Sequence, residues 1–204
     1  MNYIDYTKGL ISNFIMKSDV TKNLNIVVFG PGYNVACGID LHISHNFNIT
    51  VPEETQDICN FCEKYRNNKY FQSTDLVIMS RVLEHLPVRN VDWYLYNIAT
   101  IMKPNSPLIC VVPDMFSTAM ELRNEFLPKQ DNKIAPDYFR ANRLTYELLS
   151  EGNDVWWRHS LWTDENSVKY YLELEGLFEV QEINKVRLDT DIVPSELEVV
   201  AIRK

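Results

Sequence analysis

Apolar residues fall along this chain in two textures, short β-branched runs and longer stretches in which apolar positions recur every three or four residues. That alternation predicts an α/β fold around a parallel sheet. Over residues 3–16, Leu10, Ile11, Phe14 and Ile15 share one helical face, so a leading amphipathic helix is expected. The run NIVVFG at 25–30 reads as a buried strand, CGIDLHI at 37–43 as a second, DLVIMS at 75–80 as a third and PLICVVP at 107–113 as a fourth. Residues 57–65 have a helical pattern. Another helix is expected after Pro87, through Trp93, Ile98 and Met102, stopping at Pro104. Thr163 is expected to cap a helix that carries Asp164 and Glu165 in its first turn, buries Val168, Tyr171 and Leu172, and ends at Gly176. LFEVQEI and ELEVVAI then read as two closing strands, parted by a polar turn around 189–194. Residues 114–162 lack strand patterning and hold much of the aromatic and basic content. With no repeat and no linker, residues 1–204 are expected to form one domain, with 1–20 as its leading helix and 114–162 as a lid-like segment within it.

Composition narrows the class. The 204 residues carry 20 Lys and Arg against 28 Asp and Glu, a net charge of −8, with 46% hydrophobic and 24% charged residues. These are the proportions of a globular protein, which excludes fibrous and disordered classes. A chain of this length buries roughly 70% of its unfolded surface and needs neither disulfide nor structural metal to fold. The acidic balance speaks against nucleic acid as a partner, because non-specific affinity for phosphates comes from Lys and Arg. No apolar run approaches the ~20 residues of a membrane span, and the start MNYIDYTKGLISNF lacks the pattern of a signal peptide. A cytoplasmic location is therefore expected, with Cys37, Cys59, Cys62 and Cys110 as reduced thiols.

The chemistry starts at the end of the first strand. Gly30-Pro31-Gly32 would let backbone approach a nucleotide there, and Asp40, ten residues after Gly30, would offer a carboxylate to ribose hydroxyls from the end of the second strand. A dinucleotide fingerprint needs a third glycine where Val35 stands, and an acid about 20 residues on. The stretch from Gly32 to Asp40 is also shorter than the ~10–12 residues of a full crossover. NAD is thus disfavoured, and a nucleoside cofactor without phosphates is still served. The plain alternative is a surface bend.

At this point a family resemblance enters. The run STDLVIMSRVLEHLPVRNVDWYLYNIATIMKPNSPLICVVPD resembles the core of class I S-adenosylmethionine-dependent methyltransferases, which carry D-L-V-x-x-x-x-V-L-E-H and then L-K-P-G-G-x-L-x-I-x-V-P-D. FGPGYNVACGIDL is similar to the glycine loop of short bacterial and viral members, and the tail RHSLWTDENSVKYYLELEGLFEV resembles the family's helix-strand ending. The resemblance covers residues 24–184. It implies a Rossmann-like three-layer sandwich with a mostly parallel seven-stranded sheet, its last strand antiparallel. It implies S-adenosylmethionine as cofactor, with Gly30 and Gly32 lining it, Asp40 on the ribose, Ser80 and Arg81 facing the methionine end, and Asp57 as the acid reading the adenine amino group. The chain departs from the pattern at Val28, where the family commonly has an acid, and at Asn105-Ser106, which replace Gly-Gly. Metal-dependent relatives carry E-x-x-E-H. Arg81 stands at the first of those glutamates and would repel a cation, so no metal is expected at Glu84 and His85.

The implied reaction moves a methyl group to an oxygen or nitrogen of a small-molecule or glycan acceptor. His85 is then a candidate general base, since imidazole titrates near working pH, or else a residue that orders the loop. Asp114 is a second candidate base, or the N-cap of the helix that follows. VWWRHSLW at 155–162 places Trp157, Arg158 and His159 as candidate acceptor contacts, or as a lid packed on the sheet edge. His42, His45, Cys59 and Cys62 are of the types that hold zinc, but two His three apart lie on opposite sides of a continuous strand, which favours buried thiols on a helix face. Two rival functions stay open: a relative that keeps the fold as a binding or structural module without transfer, and a different nucleotide-dependent enzyme on the same sheet.

Overall fold

The computed structural model describes residues 2–19, 21–30, 46–50, 58–65, 67, 72–126, 161–188 and 195–204. Helix α1 (Tyr3–Lys17) leads into strand β1 (Asn23–Phe29), followed by β2 (Asn46–Thr50), α2 (Ile58–Tyr65) and β3 (Leu76–Ser80). Two single 3-10 turns, Leu83–His85 and Val88–Asn90, precede α3 (Val91–Ile101), β4 (Pro107–Pro113) and α4 (Met115–Phe126). Helix α5 (Glu165–Glu173) and strands β5 (Phe178–Val186) and β6 (Glu196–Arg203) complete the order.

The strands form one sheet in the order β2-β1-β3-β4-β6-β5. β2, β1, β3 and β4 run parallel, and β6 lies antiparallel between β4 and β5. The expected antiparallel last strand is therefore present; six strands are found among the described residues, and the seventh is not among them. Parallel strands covered on both faces read as continuous apolar runs, and β3 is buried at all five positions. Side-chain alternation splits β1 between two cores: Ile26 and Val28 join Ile11 and Ile15 of α1, while Val27 and Phe29 join Ile58, Ile98 and Leu172 of α2, α3 and α5. That makes three layers. Leu10 and Phe14, expected on the inner face of α1, pack half-buried at the margin of its core.

Two local expectations are corrected. The strand beside β1 is Asn46–Thr50, six residues beyond Asp40, whereas residues 37–43, read as that strand, lie outside the described residues. Sixteen residues (30–45) thus separate β1 from β2, enough for a full crossover, so the spacing argument against a dinucleotide loses its premise. The cap of α5 is Asp164, one residue after Thr163: its carboxylate accepts from the Ser167 N–H at 2.8 Å, and the Ser167 hydroxyl accepts from the Asp164 N–H at 2.9 Å. Thr163 is fully buried and donates to the Pro113 carbonyl at 2.6 Å, pinning the helix start to the end of β4. Tyr171 is half-buried rather than buried. Gly176 does take the left-handed conformation expected after a helix, with φ of 65°.

Candidate active site

In a parallel sheet the strand carboxyl ends open onto the face where ligands bind. Here β1 delivers Gly30 to that edge, β3 delivers Ser80 and Arg81, and β4 delivers Pro113 and Asp114; antiparallel β6 starts there with Glu196, paired to Pro113. Gly30 has φ of 121°, and a Cβ on it would sit 1.9 Å from the Ser80 carbonyl oxygen. The glycine thus permits a backbone contact between β1 and β3 that a side chain would prevent. Ser80 is buried, its Oγ 3.5 Å from the Thr7 hydroxyl of α1.

Arg81 stands in the left-handed region at φ of 58°, held by its N–H donating to the Val111 carbonyl at 2.8 Å. Non-glycine residues in that region cluster at functional sites. Its guanidinium lies over the Tyr3 ring, 5.2 Å from the centroid, with Nη1 3.7 Å from Glu84 Oε1 and 3.9 Å from Glu196 Oε2. Those separations are ion pairs longer than a hydrogen bond. Glu84 is fully buried and Glu196 is 1% exposed. The Tyr3 hydroxyl donates to Glu196 and the Tyr6 hydroxyl to Glu198, so α1 is fastened across the mouth to the last strand. Burial, reinforced by Glu198, pushes the Tyr6 phenol well above its ordinary range. The Cys110 thiol is likewise raised, by burial first and the charge of Glu84 second, which makes it inert. His85 Nε2 is 3.9 Å from Glu84 Oε1, and the imidazole is partly exposed at the same edge.

Asp114 has the surroundings of a helix cap. Its carboxylate accepts from the Ser117 N–H at 3.1 Å and from the hydroxyls of Ser117 and Ser195, and Lys185 Nζ lies 3.0 Å away. Burial would raise its pKa, but the Ser117 hydrogen bonds and Lys185 outweigh that and hold it below the ordinary carboxylate value.

The edge therefore brings together Gly30, Ser80, Arg81, His85 and Asp114. Gly32, Asp40, Asp57, Trp157, Arg158 and His159 lie outside the described residues, as do His42 and His45. Cys59 and Cys62 share α2, with Cys62 buried in the core, and no group of His, Cys, Asp and Glu able to hold a metal is found among the described residues. None of the described helices is long and apolar enough to cross a membrane. Tyr3 and Glu196 were not singled out from the sequence. They are 193 residues apart, and the only sequence signals are a tyrosine at the first turn of an amphipathic helix and a carboxylate opening an apolar strand.

In sequence, no family model and no curated protein matches the chain. In structure, it resembles a putative S-adenosylmethionine-dependent methyltransferase from Listeria monocytogenes (TM-score 0.57, 14% identity, 97% of this chain and 98% of that one). It also resembles the 1,6-didemethyltoxoflavin N1-methyltransferase of Burkholderia thailandensis, solved with 1,6-didemethyltoxoflavin and S-adenosylhomocysteine (TM-score 0.56, 11%, covering 99% and 78%). A third likeness is to a methyltransferase of Archaeoglobus fulgidus (TM-score 0.55, 10%, covering 98% and 94%). With these likenesses, the sheet order and the antiparallel last strand, the chain has the fold of the class I S-adenosylmethionine-dependent methyltransferases.

Proposed function

We propose that this protein is an S-adenosylmethionine-dependent methyltransferase acting on an oxygen or nitrogen of a small-molecule or glycan acceptor. The observation that carries this reading is the strand mouth, where Gly30 removes the side chain that would part β1 from β3 and Arg81 is held in a left-handed conformation between two buried carboxylates. The donor set fits a cofactor that carries charges of both signs at its amino-acid end. When bound, the cofactor supplies a methyl group on a positively charged sulfur. The chain's own task is then to align the acceptor with it and take up a proton, for which proximity counts most.

In this scheme Gly30 and Gly32 line the cofactor, Ser80 and Arg81 face its methionine end, and Asp57 reads the adenine. The ribose is assigned to Asp40, with Glu53 and Glu54 as competitors, because the chain leaves β2 at Thr50 and these are the first acids after it. His85 serves as the base. Asp114, held ionised by Ser117 and Lys185, caps α4 at the same edge. The acceptor enters under residues 114–162, where Trp157, Arg158 and His159 meet it. The Burkholderia thailandensis methyltransferase, solved with 1,6-didemethyltoxoflavin bound, supports a small-molecule acceptor. A cytoplasmic location goes with this reading.

Calorimetric titration with S-adenosylhomocysteine, using NAD and ATP as controls, tests it. Saturable binding of the first alone is expected. Binding of none would favour the rival, a protein that keeps the fold as a binding or structural module, and binding of NAD or ATP instead would favour a different nucleotide-dependent enzyme. Asp40→Ala, Glu53→Ala and Glu54→Ala measured in the same way decide the ribose acid.

A further inference from the structure

Helix α1 is a ridge on one face of the sheet, packed on β1, β3 and β4, whereas α2, α3 and α5 pack on the other face. Beside the ridge lies an open groove of about 460 Å³. One wall is a stripe of α1 from Tyr6 to Lys17, a run of about 17 Å along a helix. Ile109 of β4 and Val200 of β6 form the floor, and Glu182 of β5 stands on the far side. Beyond β4 that floor is two strands wide, β6 and β5, which at about 4.8 Å per strand matches the ~10 Å diameter of one helix. The Tyr6 hydroxyl closes one end by donating to Glu198, and the stripe passes through Gly9, where an added Cβ would meet nothing within 4 Å. Lys17 and Glu182 are both exposed, and neither has an ion-pair partner among the described residues. Next to the stripe, Met16 holds an apolar side chain 58% exposed on the ridge.

The groove is therefore as wide as the ridge beside it and carries opposite charges on its two sides. A two-fold axis running along α1 exchanges those sides, so that ridge faces groove and groove faces ridge. A two-fold contact requires that when one residue meets a second, the second meets the first across the axis, and Lys17 with Glu182 satisfies this twice. We propose that this face is a homodimer interface, in which each α1 lies in the groove of the other copy, Met16 covers the partner's Ile109 and Val200, and Lys17 pairs with the partner's Glu182. A small molecule suits the groove less well, because bound ligands are typically about 70–90% enclosed, and here Asn13, Lys17 and Glu182 leave the sides exposed. The inference is independent of the cofactor reading.

Sedimentation equilibrium of the full chain tests it, with circular dichroism to confirm that each variant is folded; both altered positions are exposed, so the core is untouched. The wild type should sediment at twice the mass of the chain. Lys17→Glu or Glu182→Lys sets like charges against each other at two places and should raise the dimer dissociation constant at least about tenfold. The double variant Lys17→Glu, Glu182→Lys restores opposite charges and should return the constant to within about threefold of wild type. A wild-type chain that stays monomeric at about 100 µM, where even a weak specific contact forms, would overturn the proposal. So would a dimer whose constant moves less than about twofold in both single variants, since it would use another face. A double variant as weak as the single ones would equally overturn it, because the pairing of Lys17 with the partner's Glu182 would then be absent.

Discussion

Gly30 offers a sharp quantitative test. Its φ of 121° is unfavourable for any residue with a Cβ, and an alanine Cβ would lie 1.9 Å from the backbone carbonyl of Ser80, against an ordinary contact near 3.4 Å. The obstacle is backbone at the centre of the sheet, so relief requires β1 and β3 to part rather than a rotamer to turn. Backbone strain of about 1–3 kcal/mol and overpacking of about 1–3 kcal/mol together give a loss of about 2–6 kcal/mol for Gly30→Ala. For a domain of this size that corresponds to a fall in Tm of roughly 4–24 °C. Two other glycines supply controls of known sign. Gly9 lies within α1 with nothing within 4 Å of an added Cβ, so Gly9→Ala should stabilise by about 0.5–1 kcal/mol. Gly176 has open space but φ of 65°, so Gly176→Ala should cost about 1 kcal/mol from conformation alone. Urea unfolding followed by circular dichroism reads all three. A Gly30→Ala variant within 0.5 kcal/mol of wild type, or one no worse than Gly176→Ala, would refute the close approach of β1 and β3.

The remaining predictions are smaller in reach. Asp164→Ala removes the capping box of α5 and should cost about 1 kcal/mol in the same unfolding assay, with Ser167→Ala close behind. Hydrogen bonding holds both Asp114 and Asp164 below the ordinary carboxylate value despite burial, so their contribution is fully present above about pH 4 and is lost as pH falls through the lowered values. A plot of Tm against pH should stay flat from neutral to about pH 5 and fall below about pH 4, and an Asp114→Asn, Asp164→Asn double variant should fall less steeply. Once an acceptor is known, His85→Gln should lower kcat about 100-fold if the imidazole takes the proton, with the KM for S-adenosylmethionine unchanged; a loss under threefold would reduce His85 to a loop-ordering role.

Much of the fold was legible because its inner strands are covered on both sides. NIVVFG, DLVIMS and PLICVVP have no polar face to confuse their reading, and each is a strand in the structure. The strand β2, at the edge of the sheet among the described residues, was harder: NFNIT carries polar residues at alternate positions, while CGIDLHI upstream is more apolar and drew the assignment nine residues too early. Thr163 and Asp164 are both good caps by residue type. Only the buried hydrogen bond from Thr163 to Pro113 decides between them, and local sequence carries no trace of it. The site divides in the same way. Gly30, Ser80 and Arg81 follow from their places at strand ends, whereas the network of Tyr3, Glu84 and Glu196 depends on contacts between the beginning and the end of the chain.

That last feature bears on how the molecule comes together in time. The hydroxyl of Tyr3 reaches a carboxylate 193 residues away and that of Tyr6 one 192 away, so the mouth joins a very early element to a very late one. Contacts of such span recover the entropy of closing the chain only after intervening strands have assembled, which is a hallmark of slow folding. On a ribosome, β1, β3 and β4 can align while β6 is still unmade, but Glu196 and Glu198 are then missing and the hydroxyls of Tyr3 and Tyr6 lack these two carboxylates at the mouth. Ligand present before β6 is made would therefore meet an unfinished pocket, and any rescue of folding by ligand should act only once β6 has been made.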